Sequence, residues 1–255
     1  MTKSFVEFGR KIRMAAKSNP NYCEAGMHPL HSIIWRALTT TDARFAESHG
    51  SAKRFPHEVT ALGAFSGPEV EGFESLAGLL PTNGTVALFL DAPTEPPPGM
   101  ALEVIRAIPL LQMLHDGRKL DLSRRDCVEL GEPDVPEMLA LTELTKPGPF
   151  GKRTRELGTY LGIRREGRLV AMAGERLKLP GYTEVSAVCT HPEHTGHGYG
   201  ATLIGAVIAG IQGRGEVALL HVAAENQRAI DLYERLGFSK RVVQHLLVVR
   251  KTEAI

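Results

Sequence analysis

Apolar runs of strand length alternate with amphipathic stretches through most of the chain, and their order predicts strands and helices in turn. In the first half, "EVEGFESLAGLL" reads as a short amphipathic helix and "TVALFL" as a buried strand, while "HSIIWRALTT" fits either a helix or a strand. The proline cluster "DAPTEPPPG", Asp91 to Gly99, removes backbone donors and predicts a long loop or linker. From Asp126 the pattern sharpens. "CVELGEPDVPEMLALTEL" predicts a strand and then a helix, with Asp134 near its start and Val135, Met138, Leu139 and Leu141 along it. "TYLGIRREGRLVAMAGERL" predicts a hairpin around Glu166-Gly167. "EVSAVCT" is a strand, followed by a helix from about Gly200 to Gln212 that stops at Gly213 and Gly215. "VALLHV" is a strand, "NQRAIDLYERLGF" a helix closed by Gly237, and "VVQHLLVV" the closing strand. The expected fold class is α/β, a mixed α+β sheet flanked by helices.

Composition narrows the partners. Of 255 residues 43% are hydrophobic, enough for one large core or two smaller ones. A formal net charge of +1 gives no global field to attract nucleic acid or an anionic membrane, so neither is expected as a partner. Three separated cysteines, Cys23, Cys127 and Cys189, form no CxxC pair, which favours a reducing, cytoplasmic setting. Lys3, Arg10, Lys11, Arg13 and Lys17 make the start basic without the apolar stretch of a signal peptide, and Glu7 argues against a transit peptide.

The segment "PEHTGHGYGATLIGAVIAGI", Pro192 to Ile211, carries the densest chemical signal. His191, His194 and His197 are spaced as HxxHxxH, a metal-ligand pattern if the segment were helical, but Pro192, Gly196 and Gly198 predict a loop. "GHGYGA" also satisfies a dinucleotide pattern, yet "HPEHT" separates it from the preceding strand. The third reading is a pyrophosphate loop, with glycines that let phosphate approach the bare amides of a helix N-terminus. A glycine-rich turn that merely caps the helix stays open on these residues alone.

Downstream, "HVAAENQRAIDLYERLGF" places Asn226, Ile230 and Tyr233 on one helical face. Together, "EVSAVCTHPEHTGHGYGATL" and "ENQRAIDLYERLGF" resemble the two characteristic motifs of the GCN5-related N-acetyltransferase (GNAT) superfamily, over about the last 130 residues, and most resemble its FR47-like branch. The acyl-CoA motif, [RQ]-x-x-G-x-[GA], falls on Thr195 to Gly200, with Thr195 where arginine or glutamine is usual.

The resemblance implies that "EVSAVCT" and "VALLHV" run parallel and then splay, with the pantetheine arm of acetyl-CoA between them. It puts the amide of Val188 at the thioester carbonyl and the backbone of Cys189 and Thr190 on the pantetheine. Thr195, Gly196, His197, Gly198, Tyr199 and Gly200 form the pyrophosphate loop, with the amides of the last four in contact. Asn226 binds the pantetheine or caps its helix, Glu184 is the general base, and Tyr233 lies against the cofactor and protonates the departing thiolate. Cys189 has no recognisable partner base, so the expected route is direct transfer in a ternary complex, with no metal. The implied function is N-acetylation of a primary amine of a small molecule, amino acid or peptide, the alternatives being a non-catalytic acetyl-CoA sensor or scaffold and a metal-dependent hydrolase built on the histidines. The expected division is residues 1–121, an acceptor-side lobe resembling a degenerate GNAT half, and 122–255, the acetyltransferase domain. The "KPGPFGKRT" loop, Lys146 to Thr154, would border the acceptor groove, its basic residues either attracting a carboxylate or simply solvated.

Overall fold

A computed structural model describes residues 28–67, 69–120 and 126–253; the basic first twenty residues and Cys23 lie outside them. The strands are β1 (Glu47–His49), β2 (Ala52–Arg54), β3 (Gly63–Phe65), β4 (Thr85–Leu90), β5 (Leu102–His115), β6 (Cys127–Glu129), β7 (Tyr160–Arg165), β8 (Arg168–Leu179), β9 (Tyr182–Thr190), β10 (Val217–Ala223) and β11 (Phe238–Lys251). The helices are α1 (Ile33–Thr39), α2 (Glu69–Leu79), α3 (Val135–Thr145), α4 (Tyr199–Gly213) and α5 (Gln227–Arg235). The fold is mixed α/β. An eight-stranded sheet runs β4-β11-β5-β10-β9-β8-β7-β6, and a separate three-stranded sheet runs β1-β2-β3. "HSIIWRALTT" resolves as helix α1, because Ile33, Ile34, Ala37 and Leu38 bury one side at helical spacing.

Local chemistry explains the connections. Glu166 and Gly167 take φ 51° and 79°, the paired positive values that a two-residue hairpin turn between twisted strands requires. Helix α4 buries Leu203, Ile204, Val207, Ile208 and Ile211 in one cluster with Val170 and Ala173 of β8, Val185 of β9 and alternate residues of β10 (Ala218, Leu220, Val222). Each such side chain contributes about 1.5–3 kcal/mol by leaving water. The intervening residues of β10, Val217 and Leu219, face the other way, onto α1 and its neighbours. The sheet is therefore covered on one face by α4 and α5. On the other it is covered by α1 and, nearer its far edge, by α3 through Met138 and Leu141.

The sheet runs unbroken through the division expected at 121/122. Strand β5 lies between β10 and β11, with Gln112 opposite His221 on one side and Val242 on the other, and β4 pairs with β11 from Leu90↔His245 to Thr85↔Arg250. Residues before 121 thus supply two strands of the main sheet. Among the described residues, the part of this region with a sheet of its own is β1-β2-β3. The Lys146 to Thr154 loop is bound to it as well: the amide of Arg153 donates to the Glu58 carbonyl (2.8 Å) and the Thr154 hydroxyl to that of Val59 (2.5 Å). Among the described residues no helix is long and apolar enough to cross a membrane.

A fragment beginning at Leu122 takes β5 from between β10 and β11 and opens an edge on each. It is expected to show no cooperative thermal transition by far-UV circular dichroism; a transition like that of the full chain would make β5 dispensable.

Candidate active site

The parallel strands β9 and β10 pair at three positions only, Val217↔Tyr182, Ala218↔Thr183 and Leu219↔Glu184. Beyond Glu184 they part. Strand β9 continues to Thr190 in register with β8 alone, and β10 continues to Ala223 in register with β5 alone. Each strand therefore presents a backbone edge to the other across a widening fork, and such edges are satisfied by an extended chain inserted as an extra strand. Within the diverging part β9 bulges: Ser186 faces Gly174 and Cys189 faces Met172, so two residues of β9 stand against one of β8. Ala187 takes φ 51° there, a left-handed conformation that costs a non-glycine residue about 1–2 kcal/mol and marks a backbone held for a purpose.

The fork leads into the glycine loop. A short 3-10 turn over Pro192–His194 ends at Thr195, whose hydroxyl donates to the Pro192 carbonyl (3.1 Å). Gly196 and Gly198 take φ 84° and 77°, Gly198 being the N-cap of α4, and a Cβ added at 196, 198 or 200 would meet no atom within 4 Å. The loop is an open concavity bounded by the unpaired first-turn amides of a 15-residue helix, which suits a phosphate group. The three histidines do not converge. His191 and His194 lie edge to face at 5.8 Å, whereas His197 stacks on Tyr199 at 5.4 Å and binds the carbonyls of His194 and Thr195 through Nδ1. Arg165 covers the Tyr199 ring at 4.8 Å and donates to its hydroxyl at 2.9 Å. Among the described residues no group of three or more His, Cys, Asp or Glu side chains is placed to hold a metal ion.

Across the fork, Asn226 caps α5 by accepting from the amide of Ala229 (3.2 Å), so its side chain serves the helix. Tyr233 packs partly buried on the α4–α5 side, edge-on to Phe238 at 6.0 Å, and burial pushes its phenol up to about 12. Cys189 is buried beside α3, and burial likewise pushes its thiol up to about 11. At neutral pH it is a thiol and a poor nucleophile.

The family model described as FR47-like protein matches residues 160–247. A solved GNAT-family protein from Novosphingobium aromaticivorans is 40% identical, aligns over 89% of this chain and 100% of its own, and superposes with a TM-score of 0.83. This chain belongs to the GNAT acetyltransferase superfamily. More distant structures share the fold: a GCN5-related N-acetyltransferase-like protein from Streptococcus suis (14% identity, 94% and 98% of the two chains, TM-score 0.57) and a Drosophila protein (15%, 100% and 98%, 0.60). No curated protein matches the chain.

Within the GNAT frame, one expected role conflicts with the geometry. Glu184, read from the sequence as the general base, is 1% exposed at the closed end of the fork. Arg176 grips both its oxygens (2.8 and 2.7 Å), and His221 Nδ1 lies 2.6 Å from Oε1. Burial alone would raise its pKa, but Arg176 and then His221 outweigh that and hold the carboxyl well below the usual carboxylate range. A carboxylate so held is too weak a base, and too fully engaged, to take a proton from an ammonium. The sequence reading also missed its surroundings: His221, Gln112 on β5, Gln244 on β11 and Asp91 after β4, which continue inward from Glu184 as one hydrogen-bonded line. The signal shared by the three strand residues was a polar side chain set among apolar ones, as in "VALLHV", "IPLLQML" and "VVQHLLVV".

With its thiol protonated and enclosed, Cys189 in the folded protein is expected to resist iodoacetamide at pH 8, as followed by peptide mass mapping. Its rapid alkylation would mean that it is open and partly thiolate.

Proposed function

We propose that this GNAT protein transfers an acetyl group from acetyl-CoA to a primary amine of a small molecule, amino acid or peptide, both substrates being bound together. The observation that carries this is the parting of β9 and β10 after Leu219↔Glu184, directly upstream of an open glycine cradle. Acetyl-CoA supplies an acyl group activated as a thioester. The chain's own residues fit it along its length: the amides of His197, Gly198, Tyr199 and Gly200 hold the pyrophosphate, helped by the positive end of α4. Thr195 brings no cation to the motif's first position. The β9 backbone at Cys189 and Thr190, on the arm that has left β10, would hold the pantetheine, and the amide of Val188, within the bulged stretch, would meet the thioester oxygen, where charge develops.

Direct transfer suits the residues better than an acyl-enzyme, since Cys189 is a buried thiol raised to about 11. Tyr233 is the group on the α5 side that can serve the leaving sulfur. Its phenol, raised to about 12, stays protonated throughout the working range. Full transfer of that proton to an ordinary thiolate of pKa about 8.5 would be uphill by about 5 kcal/mol, so its part is to donate a hydrogen bond as the charge forms.

The first test is thermal. Coenzyme A and acetyl-CoA are expected to raise Tm, as ligands confined to the folded state do, and NAD and zinc to leave it unchanged. Thiol release in a screen of primary amines then finds the acceptor. Gly198→Ala is expected to lower the Tm of the free protein slightly, through the cost of a side chain at φ 77°, and to weaken coenzyme A at least about tenfold, about 1.4 kcal/mol. Equal affinity in calorimetry would place the phosphates elsewhere.

Tyr233→Phe is expected to lower kcat by about tenfold to a hundredfold and to keep KM for acetyl-CoA within about twofold, because the bond it removes strengthens only as the thiolate departs. A raised KM with unchanged kcat would make Tyr233 a packing residue.

A further inference from the structure

We propose, on the reading of this protein as an amine acyltransferase, that His221 is the proton acceptor for the incoming ammonium and that Glu184 and Gln112 are the residues that position it. His221 stands two residues beyond Leu219, the last residue of β10 paired with β9, so it lies on the arm of the fork where the strands have separated. Its side chain is on the face packed by α1, opposite the face covered by α4 and the glycine cradle. The ring is itself only 2% exposed, so an amine seated beside the thioester in the fork reaches it through one water.

The hydrogen bonds around the ring fix its protonation. Arg241, the bulged residue of β11, donates to Oε1 of Gln112, and a guanidinium can only donate. Gln112 must therefore turn its NH2 toward His221 Nε2, 3.0 Å away, which makes Nε2 the bare nitrogen. On the other side of the ring the Glu184 carboxylate can only accept, so Nδ1 carries the hydrogen (2.6 Å). We assign the resting ring its hydrogen on Nδ1, toward Glu184, and its lone pair on Nε2, toward the Gln112 amide.

That lone pair also has a partner ready for the protonated state. Gln244 donates through Nε2 to Asp91 Oδ1 (3.1 Å), which leaves its own Oε1 facing His221 Nε2 at 3.2 Å. A ring that only filled space would need a donor or an acceptor there; this one has both. Once protonated, it is neutralised by Glu184, which Arg176 on β8 keeps ionised. Among the described residues, the other titratable groups round this cluster include Asp91 with its partner His31, Arg241, Asp42, which accepts from the Lys178 amide, Tyr160, His28 and His245. Phe89 of β4 packs tilted against the ring, centroids 4.7 Å apart, and keeps it in place.

The protons balance. The ammonium N–H breaks and Nε2–H forms, through one water, freeing the amine lone pair. A second proton leaves the nitrogen as the amide forms and ends on the coenzyme A sulfur; the one on His221 returns to solvent after turnover.

The test takes the full chain, acetyl-CoA and the fastest amine from a screen of amino acids, dipeptides and alkylamines. His221→Gln and Glu184→Gln are expected to lower kcat/KM for the amine by about a hundredfold or more at neutral pH, with the deficit shrinking as pH rises and free amine accumulates. The Tm shift with coenzyme A should persist, and Glu184→Asp should recover part of the rate. A pH profile for His221→Gln parallel to wild type, or a loss under about threefold, overturns the proposal while leaving acetyl transfer intact. If wild type binds coenzyme A and acetylates no amine, the acyltransferase reading itself fails. Should the variants not fold, nitrogen-15 imidazole spectra of the wild-type chain decide: Nδ1–H with bare Nε2 is expected at His221, and the opposite tautomer overturns the assignment.

Discussion

The constraint on which everything else rests is that β9 and β10 share only three residue pairs before they diverge. A parallel pair normally propagates, because every backbone group left unpaired inside a protein carries a cost. Here the divergence is enforced from outside. Strand β10 is drawn away by its five-residue register with β5, and β9 by its antiparallel pairing with β8, bulge included. The gap is thus the residue of two stronger alliances. The loop that follows β9 carries open glycines, so on the proposed reading one backbone arrangement would set both the slot for an extended arm and the cradle for its phosphates.

The polar line from Arg176 through Glu184 and His221 to Gln112, Gln244 and Asp91 exists because β5 is threaded into the centre of the sheet. Side chains from five strands, β8, β9, β10, β5 and β11, meet there together with Asp91, just past β4, and each is satisfied by the next. Buried networks of this kind are costly if incomplete and rigid when complete. Rigidity is what a proton-transfer site requires, since the tautomer of a single ring is then decided by Arg241 and Glu184 instead of by solvent.

Much of this was legible in the amino-acid order. The hairpin at Glu166-Gly167, the strand "TVALFL", the helix after the glycines and the closing Gly237 follow from backbone preferences that act within a few residues, and they stand where expected. Strand β5 was not read, because Pro109 lies inside it behind a proline cluster. The structure shows why it is tolerated: the Pro109 carbonyl accepts from Ala224, one residue past the end of β10, so the N–H that proline lacks would have pointed where no strand lies. With β5 unseen, the register that sets Gln112 opposite His221 was invisible too, and Glu184 had no visible reason to be paired. Its position was legible and its partners were not, since Arg176 reaches it only through the pairing of β8 with β9.

The interleaving of β4 and β5 with β11 also bears on how the chain comes off the ribosome. Strand β4 has β11 as its sheet neighbour, with Thr85 opposite Arg250, and β5 finds its partners in residues 219–223 and 238–251. Neither can settle into the main sheet until synthesis has run about a hundred residues or more further. Through that interval "TVALFL" and "IPLLQML" are apolar, strand-prone and without their partners, the condition in which edges find one another between chains. Expression at high levels therefore favours slow synthesis, low temperature or a chaperone that holds the early strands until the last one arrives.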